Sequence, residues 1–244
     1  SEVSSPSRLT VAQNLELVMT DLNEAISLFD EEVKDPARLT KLAALAILAR
    51  TALYAEDWDR AVRFSEMLIN AVPLTGRADY ASLWTDEIDG EVIWKLKRVN
   101  PDESRLGAAF FRESGSVVLY APSLKLLQTF DVANDIRYAA YITHDNDRGA
   151  GKSAYLIKKY VGDPEKAPGL VDLKLLRASE FYLIRAEAYA EQGNLSAAAK
   201  DLNALRRARI RNYTDVTFAN KESLLSAVLE ERFKELAFEG HRFF

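Results

Sequence analysis

Glu231, Glu235 and Glu239 stand at i, i+4 and i+8 in the segment ESLLSAVLEERFKELAFEG, so a helix there puts three carboxylates on one face. Two carboxylates held roughly 5–10 Å apart across a sugar can hydrolyse a glycosidic bond. Three like charges in a row also repel, by roughly a few tenths of a kcal/mol per pair. Arg232 and Arg242, or Arg185 from another helix, would offset that repulsion. A structural charge network is the reading adopted, and no residue is assigned a catalytic role.

The run DNDRGAGKS carries Gly-Lys-Ser, but a phosphate-binding loop needs a glycine where Asn146 stands. Asp145 and Asp147 have calcium-loop spacing, yet the twelfth position is Leu156 rather than glutamate. The only histidines, His144 and His241, cannot build a histidine-rich metal site, and there is no cysteine and no G-x-S-x-G elbow. His144 reads as a solvated loop residue. No cofactor and no metal is expected. Net charge is −5, which argues against a nucleic-acid partner, since a duplex binder needs a basic face.

The elements that must carry these residues are mostly helical. Leu15, Val18, Met19, Leu22, Ile26 and Phe29 recur at helical steps over 11–29. A second helix is expected from Thr40 to Glu56 and a third from the turn Glu56-Asp57-Trp58-Asp59 to Val72, closed by Pro73. EVIWKLK (91–97) alternates, with Val92, Trp94 and Leu96 on one side, and predicts a short strand with Trp94 in the core. GSVVLYAPS (115–123) and AYLIKKY are further β-like runs, and Ser123 to Phe130 is expected to be helical. LLRASEFYLIRAEAYAEQ predicts one helix capped by Gly193, LSAAAKDLNALRRARI another. The last helix should bury Leu225, Val228, Leu229 and Leu236. Neither hairpin can bury its apolar face alone, so helices from both ends of the chain should share a core. No stretch of about 18 apolar residues occurs. The polar start SEVSSPSRLT and the uncapped end EGHRFF read as parts of a longer chain.

The two hairpins resemble one another: ALYAEDWDRAVRF against EAYAEQGNLSAAAKDL, each with Tyr-Ala-Glu, a polar turn and small residues beyond. The repeat of about 34 residues from Thr40 to Pro73 fits a divergent tetratricopeptide-type unit.

Three motifs then resemble the SusD/RagB family. Arg177, Glu180, Leu183, Ala186, Glu187 and Ala188 match its R-x-x-E-x-x-L-x-x-A-E-A stretch. Asp201, Leu202, Asn203, Leu205 and Arg206 match D-L-N-x-[LV]-R, and Glu231, Arg232, Glu235, Leu236, Glu239, Gly240 and Arg242 match E-R-x-x-E-L-x-x-E-G-x-R. ANDIRYAAYI is similar to the family's D-x-R stretch. The resemblance implies a mainly α fold, with tetratricopeptide-like hairpins supporting an irregular lobe with a few short strands. Residues 1–244 would form part of one SusD-like domain: helical repeats over 11–73, the lobe over 74–170, and helical repeats with a C-terminal helix over 171–244. It implies a lipoprotein on the cell surface at a Bacteroidetes outer membrane, anchored through an N-terminal cysteine outside this chain. It also implies an oligosaccharide ligand, in some members a peptide, and a SusC-like TonB-dependent transporter as partner. The alternative is a tetratricopeptide-type scaffold for a peptide or protein; an enzyme ranks third.

Binding residues concentrate on loops carried by rigid scaffolds, and flat rings with polar tips stack on sugars. The expected ligand site is therefore in the lobe between Gly76 and Gly169, or on sequence outside the chain. The residues singled out are Phe110, Arg112 and Tyr120, then Trp84.

Overall fold

The computed structural model describes residues 8–30, 33–99, 107–111, 118–149, 151–163 and 169–241. Among them, the chain is mainly helical. It runs α1 (Val11–Leu28), α2 (Lys41–Tyr54), α3 (Trp58–Ala71), β1 (Val92–Leu96), α4 (Gly107–Phe110), α5 (Leu124–Leu127), α6 (Ile136–Tyr141), β2 (Ile142–His144), β3 (Tyr155–Ile157), β4 (Leu173–Arg177), α7 (Ala178–Glu191), α8 (Leu195–Arg209) and α9 (Lys221–Glu235).

Short polar side chains start most of these helices by accepting a free backbone N–H of the first turn. Thr40, Asp57, Asn194 and Asn220 do so for α2, α3, α8 and α9, and Thr10 forms a reciprocal capping box with Gln13 on α1. The likeness between the hairpins α2–α3 and α7–α8 extends to their turns. In both, one residue with positive φ follows the first helix, Glu56 at 54° and Gly193 at 81°, and then comes the N-cap of the second. In both, the N-cap amide reaches back five residues, Asp57 to the Ala52 carbonyl and Asn194 to that of Tyr189. Glu56 bears a steric cost in this conformation that Gly193 does not. Glu56→Gly is expected to raise stability by roughly 0.5–1 kcal/mol and Gly193→Ala to lower it by about 1 kcal/mol, read from urea midpoints. The same sign for both would show that the turns are not equivalent.

The hairpins share a core, as expected. Leu45, Leu48, Ala49 and Ala52 of α2 and Ala61, Phe64 and Leu68 of α3 pack with Phe181, Ile184 and Ala188 of α7, joined by Met19 of α1. Alanines on the facing surfaces let the helices approach closely. A second core lies on the far side of α7, where Leu183, Ala186 and Ala190 meet Ala198, Leu202 and Leu205 of α8 and Leu224 and Val228 of α9. The lobe has its own aromatic core: Tyr80, Leu83, Trp84, Phe130, Tyr141, Ile142 and Tyr160.

Several local expectations need correction. Residues 173–177 are strand β4 rather than the start of α7, because β1 takes them as its antiparallel partner, Val92 opposite Arg177 and Leu96 opposite Leu173. The pairing is irregular between Val92 and Lys95, and this breaks the simple alternation of β1. Glu91, Val92 and Ile93 are all buried, Trp94 is only half-buried, and Leu96 is exposed. Residues 118–122 are coil, not strand, and the helix after Ser123 is the single turn α5. His144 belongs to strand β2, paired with Tyr155 of β3. In α9 the buried residues are Leu224, Val228, Glu231, Lys234 and Glu235, while Leu229 is 44% exposed. Three of the five buried positions are charged, so an apolar pattern could not find that face.

Candidate functional site

The three glutamates are buried and each is paired with cations. Glu231 faces Arg137 at 2.6 Å and accepts from Arg206 at 2.6 Å. Glu235 accepts from Arg137, Arg177 and Arg209, each at 3.0 Å. Glu239, in the turn after α9, accepts from Arg177 at 2.7 Å and from the Lys159 ammonium at 2.5 Å. Arg177 and Arg209 are also tied to Glu91, and Arg137 makes a two-pronged bond to Asp135, the N-cap of α6. With Lys234, 3.6 Å from Glu231, five carboxylates thus meet six cations. Burial alone would raise the Glu231 carboxyl, but Arg137, Lys234 and Arg206 outweigh it and hold it down at about 2. Glu235 is held well below the ordinary range, as its three arginines outweigh burial, and Glu239 is lowered by Arg177 and Lys159 in the same way. Burial dominates at Lys159, pushing the ammonium down to about 8 despite Glu239.

The charge-network reading of these glutamates therefore stands, with other partners. Arg185 pairs with Asp201 and Arg232 with Glu187; Arg242 lies outside the described residues. The signal for the real partners was present in Asp135-Ile136-Arg137 and in Arg177, Arg206 and Arg209, whose helix and strand positions bring them to α9. The remaining motif polar groups are also used internally. Glu180 holds Arg50 at 2.7 Å, and Asn203 bonds Tyr213 and both backbone groups of Val216, pinning the α8–α9 connection.

A family model described as SusD family matches residues 133–244, the part of the chain that carries all of these motif residues. The chain belongs to the SusD/RagB family. A SusD superfamily protein from Bacteroides vulgatus is 30% identical, with TM-score 0.78, covering 100% of this chain and 56% of its own. A structure described as a SusD-like carbohydrate binding protein, also from Bacteroides vulgatus, is 26% identical, with TM-score 0.78 over 95% of this chain and 50% of its own. Surface glycan-binding protein A from Bacteroides uniformis shares the fold at 20% identity and TM-score 0.73, over 96% of this chain and 56% of its own. No match is found among curated proteins. The chain spans roughly half to three fifths of the length of the solved SusD-like structures it matches.

Several hollows among the described residues are large enough for a ligand, and two of them differ sharply in their lining. The larger, about 660 Å³, lies between α1, α2, β4 and residues 238–241. Its walls include Leu15, Ile47, Trp94, Leu175 and Phe238, and its charged groups are committed. Arg50 bonds Glu180 and the Leu175 carbonyl, Lys174 pairs with Asp86, and Glu239 is in the network described above. The second, about 400 Å³, lies in the lobe and is lined by Trp84, Thr85, Phe111, Thr143, Lys158 and Gly162 among others. That volume suits a small-ligand site, for which roughly 300–1,000 Å³ is usual.

The lobe places the singled-out residues unequally. Gly107 opens α4 where any β-carbon would come within 2.2 Å of the Tyr160 carbonyl, so only glycine lets this turn lie against the chain end of β3. The turn sets Phe110 on Tyr160, stacked with centroids 5.6 Å apart, and beside Tyr120 at 5.9 Å. Phe110 is half-buried and Tyr120 is 60% exposed. Arg112 lies outside the described residues. Trp84 is corrected to a core residue: it is 3% exposed, boxed in by Tyr80, Tyr141 and Tyr160, with Lys159 4.2 Å above its ring. Its ring faces are taken, so it cannot offer a sugar a stacking surface. Sequence reasoning missed Phe111, Thr85, Thr143 and Lys158 as lining residues; they come from four separated segments with no shared motif.

Proposed function

We propose that the protein is a non-catalytic surface binding protein that captures an oligosaccharide in the lobe and passes it to a SusC-like TonB-dependent transporter. Residues 1–244 would be part of one SusD-like domain, displayed at the outer membrane through a lipidated cysteine outside this chain. The observation that carries the reading is the contrast within the fold. The motif carboxylates are sealed in ion pairs, where they can neither donate nor take a proton from a substrate. The lobe cavity keeps uncommitted polar and aromatic groups, and the lobe also carries the exposed Tyr120 and the half-buried Phe110. Relatives named for carbohydrate and glycan binding share this architecture and support the assignment.

The test is a calorimetric oligosaccharide screen with alanine variants. Tyr120→Ala is expected to weaken binding by about tenfold, a ring-stacking loss of the usual interface size, with an unchanged melting temperature. Trp84→Ala should instead cost about 3–5 kcal/mol of stability, as a large buried ring removed from a core. Loss of stability at Tyr120 as well would make that ring structural and remove the platform. Prolonged incubation with a bound oligosaccharide should release no new reducing ends. A screen in which only peptides bind would favour the scaffold alternative.

A further inference from the structure

Among the described residues, the lobe cavity is lined by an ammonium, an indole and two hydroxyls and by no carboxylate. Its polar lining consists of Trp84, Thr85, Thr143 and Lys158; Ala81, Phe111, Ala139, Ala140, Val161 and Gly162 complete it. The ammonium of Lys158 and the indole N–H of Trp84 can only donate, while the two hydroxyls can turn to either role. The Trp84 indole N–H is also one of three buried side-chain polar atoms among the described residues that have no hydrogen-bond partner.

Lys158 is held in place through its backbone. It follows β3, and its amide donates to the Tyr141 carbonyl at 2.8 Å. Past the end of β3, Lys158 is exposed while Ile157 and Lys159 on either side of it are buried. Lys159 is consumed by Glu239, whereas Lys158 meets no carboxylate among the described residues. A chain of net charge −5 thus keeps an unpaired cation at the exposed side of a cavity whose fixed polar groups donate.

A neutral sugar presents hydroxyls that need acceptors as well as donors, and this lining is short of acceptors. Carboxylate and sulfate oxygens only accept, and a charge-assisted bond to an ammonium is roughly twice as strong as a neutral one. We propose that the sugar taken by this cavity is acidic, a uronic acid or a sulfated residue, with its anionic group on Lys158. Thr85 and Thr143 turn their hydroxyls to its oxygens, and Phe111 covers part of its apolar face. The inference rests on the glycan-binding reading and names the ligand class for that site.

The test is calorimetry on the full chain with four probes: tri-galacturonate, its uncharged methyl ester, a chondroitin sulfate tetrasaccharide and maltotriose. At least one anionic probe is expected to bind about tenfold or more tighter than both neutral ones. That advantage should shrink as salt rises from about 50 to about 500 mM. The tri-galacturonate and chondroitin arms separate carboxylate from sulfate recognition. Lys158→Gln should abolish the advantage with unchanged melting, and Lys152→Gln, outside the lining, should keep it. Thr143→Val should weaken the anionic probe without restoring the neutral ones. Equal binding of charged and uncharged probes, or a preference that survives Lys158→Gln, overturns the acidic assignment and leaves glycan binding standing. No binding by any of the four, nor by any other oligosaccharide, overturns both.

Discussion

Glu235→Ala is expected to cost about 3–5 kcal/mol of folding stability, because it leaves buried cations without their shared counter-charge. Arg137, Arg177 and Arg209 converge on this one carboxylate from α6, the end of β4 and the end of α8. None of the three guanidinium groups has any exposure worth counting, so water cannot replace the lost partner. Domains are stable by about 5–15 kcal/mol, so this single change removes a large part of the margin. The measurement is the urea midpoint, with Glu230→Ala as control. Glu230 is one residue earlier on the same helix and exposed, so its loss should move stability by no more than about 0.5 kcal/mol. Similar effects at the two positions would refute the central role of the network. Where Glu235→Ala does not accumulate, Glu235→Gln keeps the shape and isolates the charge.

The second large effect is acid sensitivity. Glu231 ionises at about 2 in the folded chain against an ordinary 4.5, so between those values the unfolded chain binds more protons. Stability from this group is therefore complete above about pH 4.5 and is lost as pH falls toward about 2; for Glu231 alone the loss is roughly 3 kcal/mol. Glu235 and Glu239 are lowered as well and act in the same direction. The three share arginines, so their losses form one set rather than a simple sum. Urea midpoints should fall steeply below about pH 4.5, and a midpoint at pH 3 equal to that at pH 7 would contradict this. On the alkaline side the sign reverses in origin but not in slope. Lys159 titrates at about 8 when folded and 10.5 when free, so the cost of burying its ammonium is present below about 8 and is relieved as pH rises.

The network also gives the family motifs a physical meaning in this chain. Arg177, Arg206, Glu231, Glu235 and Glu239 fasten α8, α9 and β4 to one another and to the lobe. Tyr141 and Tyr160 extend that tie, donating to the carbonyls of Glu235 and Phe238. The most recognisable residues are thus spent on joining the hairpins to the lobe. The proposed ligand contacts, Phe110, Phe111, Tyr120 and Lys158, carry no motif.

Sequence alone determined much of the local structure: the helical spacing, the cap at Gly193 and the repeated hairpin turn. These depend on neighbours within about five residues, where side-chain type and backbone geometry are directly coupled. Sequence also showed that Glu231 and Glu235 share a helix face and need counter-charges, while Glu239, read onto the same face, lies in the turn past α9. Tertiary structure decided which cations those were, since Arg137, Arg177 and Arg209 reach Glu235 across separations of 98, 58 and 26 residues. It decided that residues 173–177 would be strand, because the unpaired backbone of β1 outweighed a helical pattern that ran through them. It also decided that Trp84 would be walled in while Tyr120 stayed open. A ring's type says only that it can stack or pack; the neighbours that occupy its faces come from distant segments.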